Sequence, residues 1–358
     1  MKRMLPTANA GSAPSGNKTG SENGASPSAT LLHMATGAWL AQAIYVAAKL
    51  GVADLLVAGP RSAVELAAIT GAHAGALYRI LRALASVTVF AEDEVGRFHL
   101  TPTAECLCTE APGSLRAFII MLGEQEHWRA WGEVIYSVRT GRPAFDLVFG
   151  MPRFQYFANN PGDALIFSEA MTSRSNQENE AIIAAYDFSE VTSIVDVGGG
   201  QGSLLAAILR TASEARCVLF DLPDVIALAR NAARTDEALR HAFVEGDFFN
   251  AIPVGADAYV LKKVIQDWDD EHAVKILMNC RAAMPRTGRL LLIEPIIPGG
   301  NSSSFNKLLD LLLLIWTPGG KARTELEHRA LLAASDLKLA RLIPTGSWLS
   351  LIEALPAD

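Results

Sequence analysis

The sequence predicts an α/β fold: a doubly wound, Rossmann-like sheet in the C-terminal half, preceded by a helical domain of winged-helix pattern. Three observations carry this. From Val191 onward, short hydrophobic strands alternate with helical segments, the pattern of a parallel sheet with helical crossovers. The first of those strands, "SIVDVGGG", runs into glycines where a crossover helix should begin. Residues 31 to about 110 read as three helices closed by a short hairpin.

Residues 1–29 are rich in Gly, Ser, Ala, Asn and Pro, the composition of a disordered tail. The next unit, residues 30–110, opens on "LLHMATGAWLAQAIYVAAKLGVADLL", an apolar helix expected to end near Gly51. "SAVELAAIT" starts on a Ser with an acid three positions later, a capping-box pattern. "AGALYRILRALASVTVF" is amphipathic, and "FAEDEVGRFHLT" reads strand, polar turn, strand. Such an order invites a DNA-reading role. Yet residues 31–110 hold five Lys or Arg against seven Asp or Glu, and an acidic wing is a poor phosphate binder. A packing or dimerisation module fits better. Residues 111–185 are helical and aromatic-rich, a linker and substrate lid. Trp128, Trp131, Phe145 and Phe154 suit either a core, the default, or the walls of an apolar ligand chamber. Residues 186–358 supply the sheet through "SIVDV", "CVLFDLP", "HAFVEGDFF", "AYVLKKVI" and "RLLLIEPII".

Composition narrows the partners. With 358 residues, half of them hydrophobic, the chain can bury a large core. A net charge of −7 and a pI near 5.6 argue against nucleic acid. Cys106, Cys108, Cys217 and Cys280 lack zinc spacing, so reduced, mostly buried thiols and no metal are expected. "MKRM" has no apolar run behind it. The greasy stretch from Leu31 to Ala48 is interrupted by His33, Thr36 and Gln42, and 308–316 is short and carries Asp310. A cytoplasmic protein without a membrane anchor is expected.

The glycine turn contains Asp196, Gly198, Gly199, Gly200 and Gly202. It misses the dinucleotide spacing, whose third glycine would fall on Ser203, and it has no P-loop lysine. An acid at the strand end with glycines beyond suits a cationic, zwitterionic ligand approaching the backbone closely. Asp221, followed by Leu222, ends the second strand about twenty residues on, where a carboxylate takes ribose hydroxyls. Asp247 and Phe248 end the third, an acceptor beside an aromatic plane suited to a purine. Together these indicate an adenosine-containing cofactor, and S-adenosyl-L-methionine meets every requirement.

From about Thr30 to the C-terminus the chain resembles the plant caffeate-type and bacterial small-molecule O-methyltransferases. The resemblance rests on "DVGGGQG", "FDLP", "EGDFF", "LKKVIQDWDDE", "LLLIEP" and "PGGKARTELE". It implies a homodimer swapped through the N-terminal domain, with substrate held between that domain and the sheet edge. Carried over by position, Gly198 and Gly200 would lie along the cofactor, Asp221 would take its ribose, and Asp247 and Phe248 its adenine. Lys262 would contact the cofactor, Trp268 would pack near the adenine, and Ser175 would reach the methionine carboxylate. Met171 would line the transfer side, with Met121, His127, Trp128 and Trp131 as pocket candidates.

One position departs from the family. Where its members usually carry a histidine base, this chain has Gln266, and the glutamate that commonly orients the base is Ala322. Losing both is coherent, since an orienter has no work without its base. Asp267 and Glu294 remain as catalytic carboxylates. An ordinary carboxylate, with a pKa of roughly 4, is poorly matched to a phenol of about 10, so burial would have to raise it. His127 and His272 are bases by identity only, with His272 expected at the surface, and the direction of Lys263 is open. Three functions follow: methyl transfer by proximity, with Gln266 orienting the acceptor; a repurposed fold that binds the cofactor but hydroxylates, decarboxylates or runs a pericyclic step; and a non-enzymatic binding protein.

Overall fold

The computed structural model describes residues 26–232 and 241–357; most of the expected N-terminal tail lies outside them. The first helix, Pro27–Ala35, starts before the expected boundary because Ser26 caps it, accepting the Ala29 N–H. The single long helix expected up to Gly51 is broken into Pro27–Ala35, Gly37–Lys49 and Val52–Leu56. At the first break the Thr36 hydroxyl donates to the Leu32 and His33 carbonyls. Such local bonding competes with helix continuation. Gly51 takes the left-handed conformation (φ +65°) at the second.

The capping box is formed, Ser62 and Glu65 bonding reciprocally at the start of Ala63–Thr70. The hairpin pairs β2 (Phe90–Glu92) with β3 (Arg97–Leu100), and β1 (Arg61–Ser62) adds a third short strand in the order β1-β3-β2. Ala47, Leu66, Leu81, Leu84 and Phe98 close a separate core beneath them.

The large sheet comprises β4 (Ser193–Val197), β5 (Arg216–Asp221), β6 (His241–Glu245), β7 (Ala258–Lys262), β8 (Arg289–Glu294), β9 (Leu337–Pro344) and β10 (Ser350–Pro356). Its order is β6-β5-β4-β7-β8-β10-β9, with β4 to β8 parallel and β10 antiparallel to both neighbours. Residues alternate between the faces. Val195, Tyr259, Leu261, Leu290 and Leu292 pack under the helices Asp270–Ala283 and Glu325–Ala333. Ile194, Val260, Leu291 and Ile293 pack under Ser203–Thr211 and Pro223–Ala232. Both faces are covered, which is why these strands read as unbroken apolar runs. The chain leaves β4 to one side for β5 and β6 and returns to its other side for β7 and β8. That reversal opens a crevice at the carboxyl ends of β4 and β7. The 25-residue helix Pro161–Ala185 crosses beside it, linking lid to sheet.

Candidate active site

The glycines after β4 form a tight turn. Gly198, Gly200 and Gly202 have φ of +69°, +59° and +80°, a region costly to any residue with a Cβ. A Cβ on Gly199 would lie 2.5 Å from Leu219 and 2.6 Å from the Asp196 carboxyl carbon. Asp196 is 2% exposed, and neither carboxylate oxygen has a hydrogen-bond partner among the described residues. Burial pushes its pKa up to about 7, against the pull of Lys262 and with a push from Asp221. Buried charge without a partner is expensive, so this carboxylate marks a place built for a cation. Asp221 accepts the Gly200 and Leu222 N–H groups at 2.9 and 2.7 Å, which ties the glycine turn to β5; Leu222 itself is half exposed at the rim.

Asp247 accepts the Phe249 N–H at 2.8 Å and the Asn250 amide at 3.2 Å. Next to it Phe248, Phe249 and Trp268 meet edge to face, with centroids 5.0 Å (Phe248–Phe249), 4.7 Å (Phe249–Trp268) and 6.0 Å (Phe248–Trp268) apart. The fold thus brings the β6 and β7 loop residues together as an aromatic wall.

Lys262 reaches across to the long helix, donating to Asn179 at 2.7 Å and pairing with Glu178 at 3.2 Å. Burial and the neighbouring Lys263 lower its pKa to about 8, while Glu178 opposes the fall. Lys263 also turns to Glu178 (2.8 Å), which settles its direction. Glu178 further receives the Trp348 indole at 3.0 Å and faces Arg174 at 3.5 Å. Burial disfavours its charge, but the Lys263, Lys262 and Arg174 cations outweigh burial and lower its pKa. Ser175 stands one turn before Glu178 and Asn179, on the same helix face.

The loop after β7 is a short 3₁₀ turn, Ile265–Asp267. Glu294, 1% exposed at the end of β8, accepts the Ile265 N–H at 2.9 Å, and its second oxygen has no partner. Burial raises Glu294 to about 8, with the nearby Asp267 adding to the rise. Burial also raises Asp267 to about 6, opposed by Arg153 and by the neighbouring Gln266 amide. The Gln266 carbonyl oxygen is left buried and unpartnered. A carboxylate beside the amide selects this orientation, because the NH₂ end must face the negative charge. Gln266 therefore presents a fixed acceptor.

The lid residues converge. Met121, Ala130, Phe145, Ala170 and Trp316 form one buried cluster, with Trp131 and Met171 packed on it. His127 is buried against Trp316, ring centroids 5.2 Å apart, and burial together with Arg153 lowers its pKa to about 3. His127 is therefore held neutral within the cluster. His272 is a half-exposed surface residue in the first turn of its helix, bound to Asp269 at 2.7 Å, and Asp269 caps that helix by accepting the His272 N–H. Trp128 stays outside the cluster, as does Phe154, which is exposed; the Trp128 indole N–H is buried without a partner.

Sequence reading missed several site residues. Arg323, fully buried, binds the Ile265 and Trp268 carbonyls and the Asp270 carboxylate. Glu178 and Asn179 lie in the middle of a polar helix stretch with no motif to flag them. Arg153 and Glu126 are buried inside the aromatic lid; a charge inside an apolar run was the available signal. No cluster of metal-ligating side chains occurs among the described residues.

The crevice thus has a cradle with an unpaired acid, which can hold a cationic cofactor with an adenine-sized end, and the aromatic cluster that contains Trp316 reaches toward the Gln266 loop through Arg153, which Asp267 influences through space. Comparison with known proteins agrees. An O-methyltransferase domain model matches residues 131–337, and an O-methyltransferase dimerisation domain model matches residues 32–110. The chain is 45% identical over 330 residues to a phenazine O-methyltransferase of Lysobacter antibioticus, covering 92% of this chain and 96% of that protein. It is 40% identical over 316 residues to a mitomycin biosynthesis 6-O-methyltransferase of Streptomyces lavendulae, covering 87% and 89%. A methyltransferase of calicheamicin biosynthesis, solved in its SAH-bound form, superposes with a TM-score of 0.84 at 38% identity, covering 92% and 97%.

Proposed function

Since this chain belongs to the O-methyltransferase family, with an O-methyltransferase domain behind a dimerisation domain, we propose that it methylates a hydroxyl of a flat aromatic metabolite by positioning rather than by base catalysis. The chain is an S-adenosyl-L-methionine-dependent methyltransferase of the kind that acts on aromatic secondary metabolites. The non-methylating reading is not favoured. The working unit in this proposal is a cytoplasmic homodimer joined through residues 30–110, with 111–185 as lid and 186–358 as catalytic domain. The exposed Leu31, Leu32, Met34 and Trp39 support a partner on the first two helices.

The unpartnered Asp196 carboxylate and the glycine cradle fit the cofactor. In this assignment Asp196, Gly198 and Gly200 line it, and Asp221 with Leu222 holds the ribose. Asp247, Phe248 and Trp268 hold the adenine, while Ser175 and Lys262 serve the methionine end. When bound, S-adenosyl-L-methionine supplies an electrophilic methyl sulfonium. The chain's contribution is then alignment. Met121, His127, Trp131 and Met171 wall the acceptor, and Trp128 borders the lid. The Gln266 carbonyl oxygen accepts the substrate hydroxyl's hydrogen, aiming an oxygen lone pair across the chamber. Asp267 holds that amide in place. Glu294, which accepts the Ile265 N–H at 2.9 Å, anchors the start of the loop that carries Gln266. Effective molarities of roughly 10⁵ M or more are available from alignment alone.

The observation that carries this reading is the buried, partnerless Gln266 side-chain oxygen beside the Asp267 carboxyl. The test is incubation with S-adenosyl-L-methionine and a panel of phenols of graded acidity, following S-adenosylhomocysteine. Release should track acceptor acidity. Consumption of an acceptor without S-adenosylhomocysteine sinks methyl transfer.

A further inference from the structure

Arg153 is a buried cation that the assigned mechanism does not use. It begins the helix Arg153–Asn159 in the lid and is 7% exposed. Its guanidinium carbon lies 3.5 Å from the Trp316 ring centroid, 4.4 Å from Phe167 and 4.9 Å from Phe157. Aromatic faces steady a cation, but they accept none of its N–H groups in the plane. Nε and Nη2 are both buried with no hydrogen-bond partner. These two nitrogens share one edge of the guanidinium, the fork that a carboxylate fills with two parallel bonds.

The acids facing Arg153 do not fill that fork. Glu126 and Asp267 influence it through space, yet neither makes an ion pair with it among the described residues. The second oxygen of Glu126 is itself partnerless, and burial favours the neutral acid there, raising it to about 7. The His127 Nδ1 and Trp316 Nε1 atoms are also buried and unsatisfied. Several unsatisfied polar atoms therefore gather around Trp316, and buried polar groups are seldom left so.

Resting on the methyltransferase reading above, we propose that the acceptor is an aromatic carboxylic acid whose carboxylate docks on the Nε–Nη2 edge of Arg153, making Arg153 a specificity-determining residue. The acceptor ring then lies along Trp316 and the Phe157–Phe167 pair, and its hydroxyl projects toward Gln266. Loss of the carboxylate leaves a desolvated guanidinium edge unpaired, so neutral analogues should be rejected far more strongly than their size warrants.

The test is binding, read by quenching of tryptophan fluorescence, in protein saturated with S-adenosylhomocysteine. The probes are isomeric hydroxynaphthoic acids and the matching hydroxynaphthamides. Wild-type protein should bind at least one acid about tenfold or more tighter than its amide. Arg153→Met should weaken that acid by roughly a hundredfold while leaving amide and S-adenosylhomocysteine binding unchanged. Arg153→Lys, which keeps the charge without the fork, should restore part of the preference. Equal binding of acid and amide by wild-type protein overturns the proposal without recourse to any variant. So does acid binding that survives Arg153→Met, or failure of every acid to bind while S-adenosylhomocysteine does. Failure to bind S-adenosylhomocysteine counts instead against the methyltransferase assignment of the site.

Discussion

The Arg323 guanidinium donates to the Trp268 carbonyl oxygen at 2.7 Å, joining two segments 55 residues apart. The same side chain holds the Ile265 carbonyl at 3.0 Å and Asp270 at 2.8 Å. A loop that carries Gln266 and Asp267 is thereby fixed at both ends by one residue. Gly320 closes on it from behind, where a Cβ would come 2.7 Å from the Gln266 backbone carbonyl oxygen. Arg323→Met is expected to lower stability by about 2–4 kcal/mol, because two buried carbonyls lose their donor. Urea unfolding measures this, and the Kd for S-adenosylhomocysteine should rise as Trp268 loosens. Unchanged stability would show that the clamp is not carrying the loop.

Asp196→Asn should separate stability from binding. The carboxylate has no partner in the free protein, so an amide of the same shape is expected to leave the melting temperature equal or higher. S-adenosylhomocysteine affinity should fall by roughly ten- to a hundredfold. Calorimetric titration and a thermal melt together decide it; a lower melting temperature with unaltered affinity would assign Asp196 to the fold alone.

The buried acids predict an unusual pH dependence. Asp267, Asp196, Glu126 and Glu294 are raised by burial to about 6, 7, 7 and 8, whereas in the unfolded chain they ionise near 4. The folded state therefore keeps protons that the unfolded state has released. Stability from this source is complete below the unfolded values and is lost as pH rises through about 6 to about 8. The melting temperature of the cofactor-free protein should fall by several degrees between about pH 5.5 and about pH 8.5. Glu294→Gln should flatten the upper part of that decline. A melting temperature rising over this range would contradict the sign.

Gln266→His tests whether a base is missing in function. A neutral imidazole has a pKa near 6.5 in solution and adds a proton acceptor worth roughly 10²-fold or more when placed well. Turnover of weakly acidic phenols should increase, with a new ionisation in the pH–rate profile, while turnover of acidic phenols changes little. Gln266→Leu should reduce kcat for all acceptors with S-adenosylhomocysteine affinity unaffected.

Legibility in the sequence followed the range of the interactions. Capping at Ser62, the hairpin at 90–100 and the strand ends at Asp196, Asp221 and Asp247 were readable because each is decided by a few consecutive residues. The break at Thr36 escaped because a single hydroxyl back-bonding to Leu32 and His33 competes with a strongly helical composition. Glu178, Arg153 and Arg323 escaped for a different reason. Their deciding partners lie far away in the chain: Glu178 meets Trp348 across 170 residues and Arg153 meets Trp316, and only Arg153, set among aromatic residues, carried a local signal of burial. Arg323 sat inside a segment read only for the Glu that Ala322 replaces.

The amide at position 266 has one more consequence. It neither gains nor loses a proton over any pH at which the protein is folded, so its hold on an acceptor is constant. Which molecules react is then decided by how readily each surrenders its own hydroxyl proton. Aliphatic alcohols and electron-rich phenols should fit the chamber and stay unaltered, while electron-poor rings turn over. In the proposed mechanism the loop is a sieve graded by acidity.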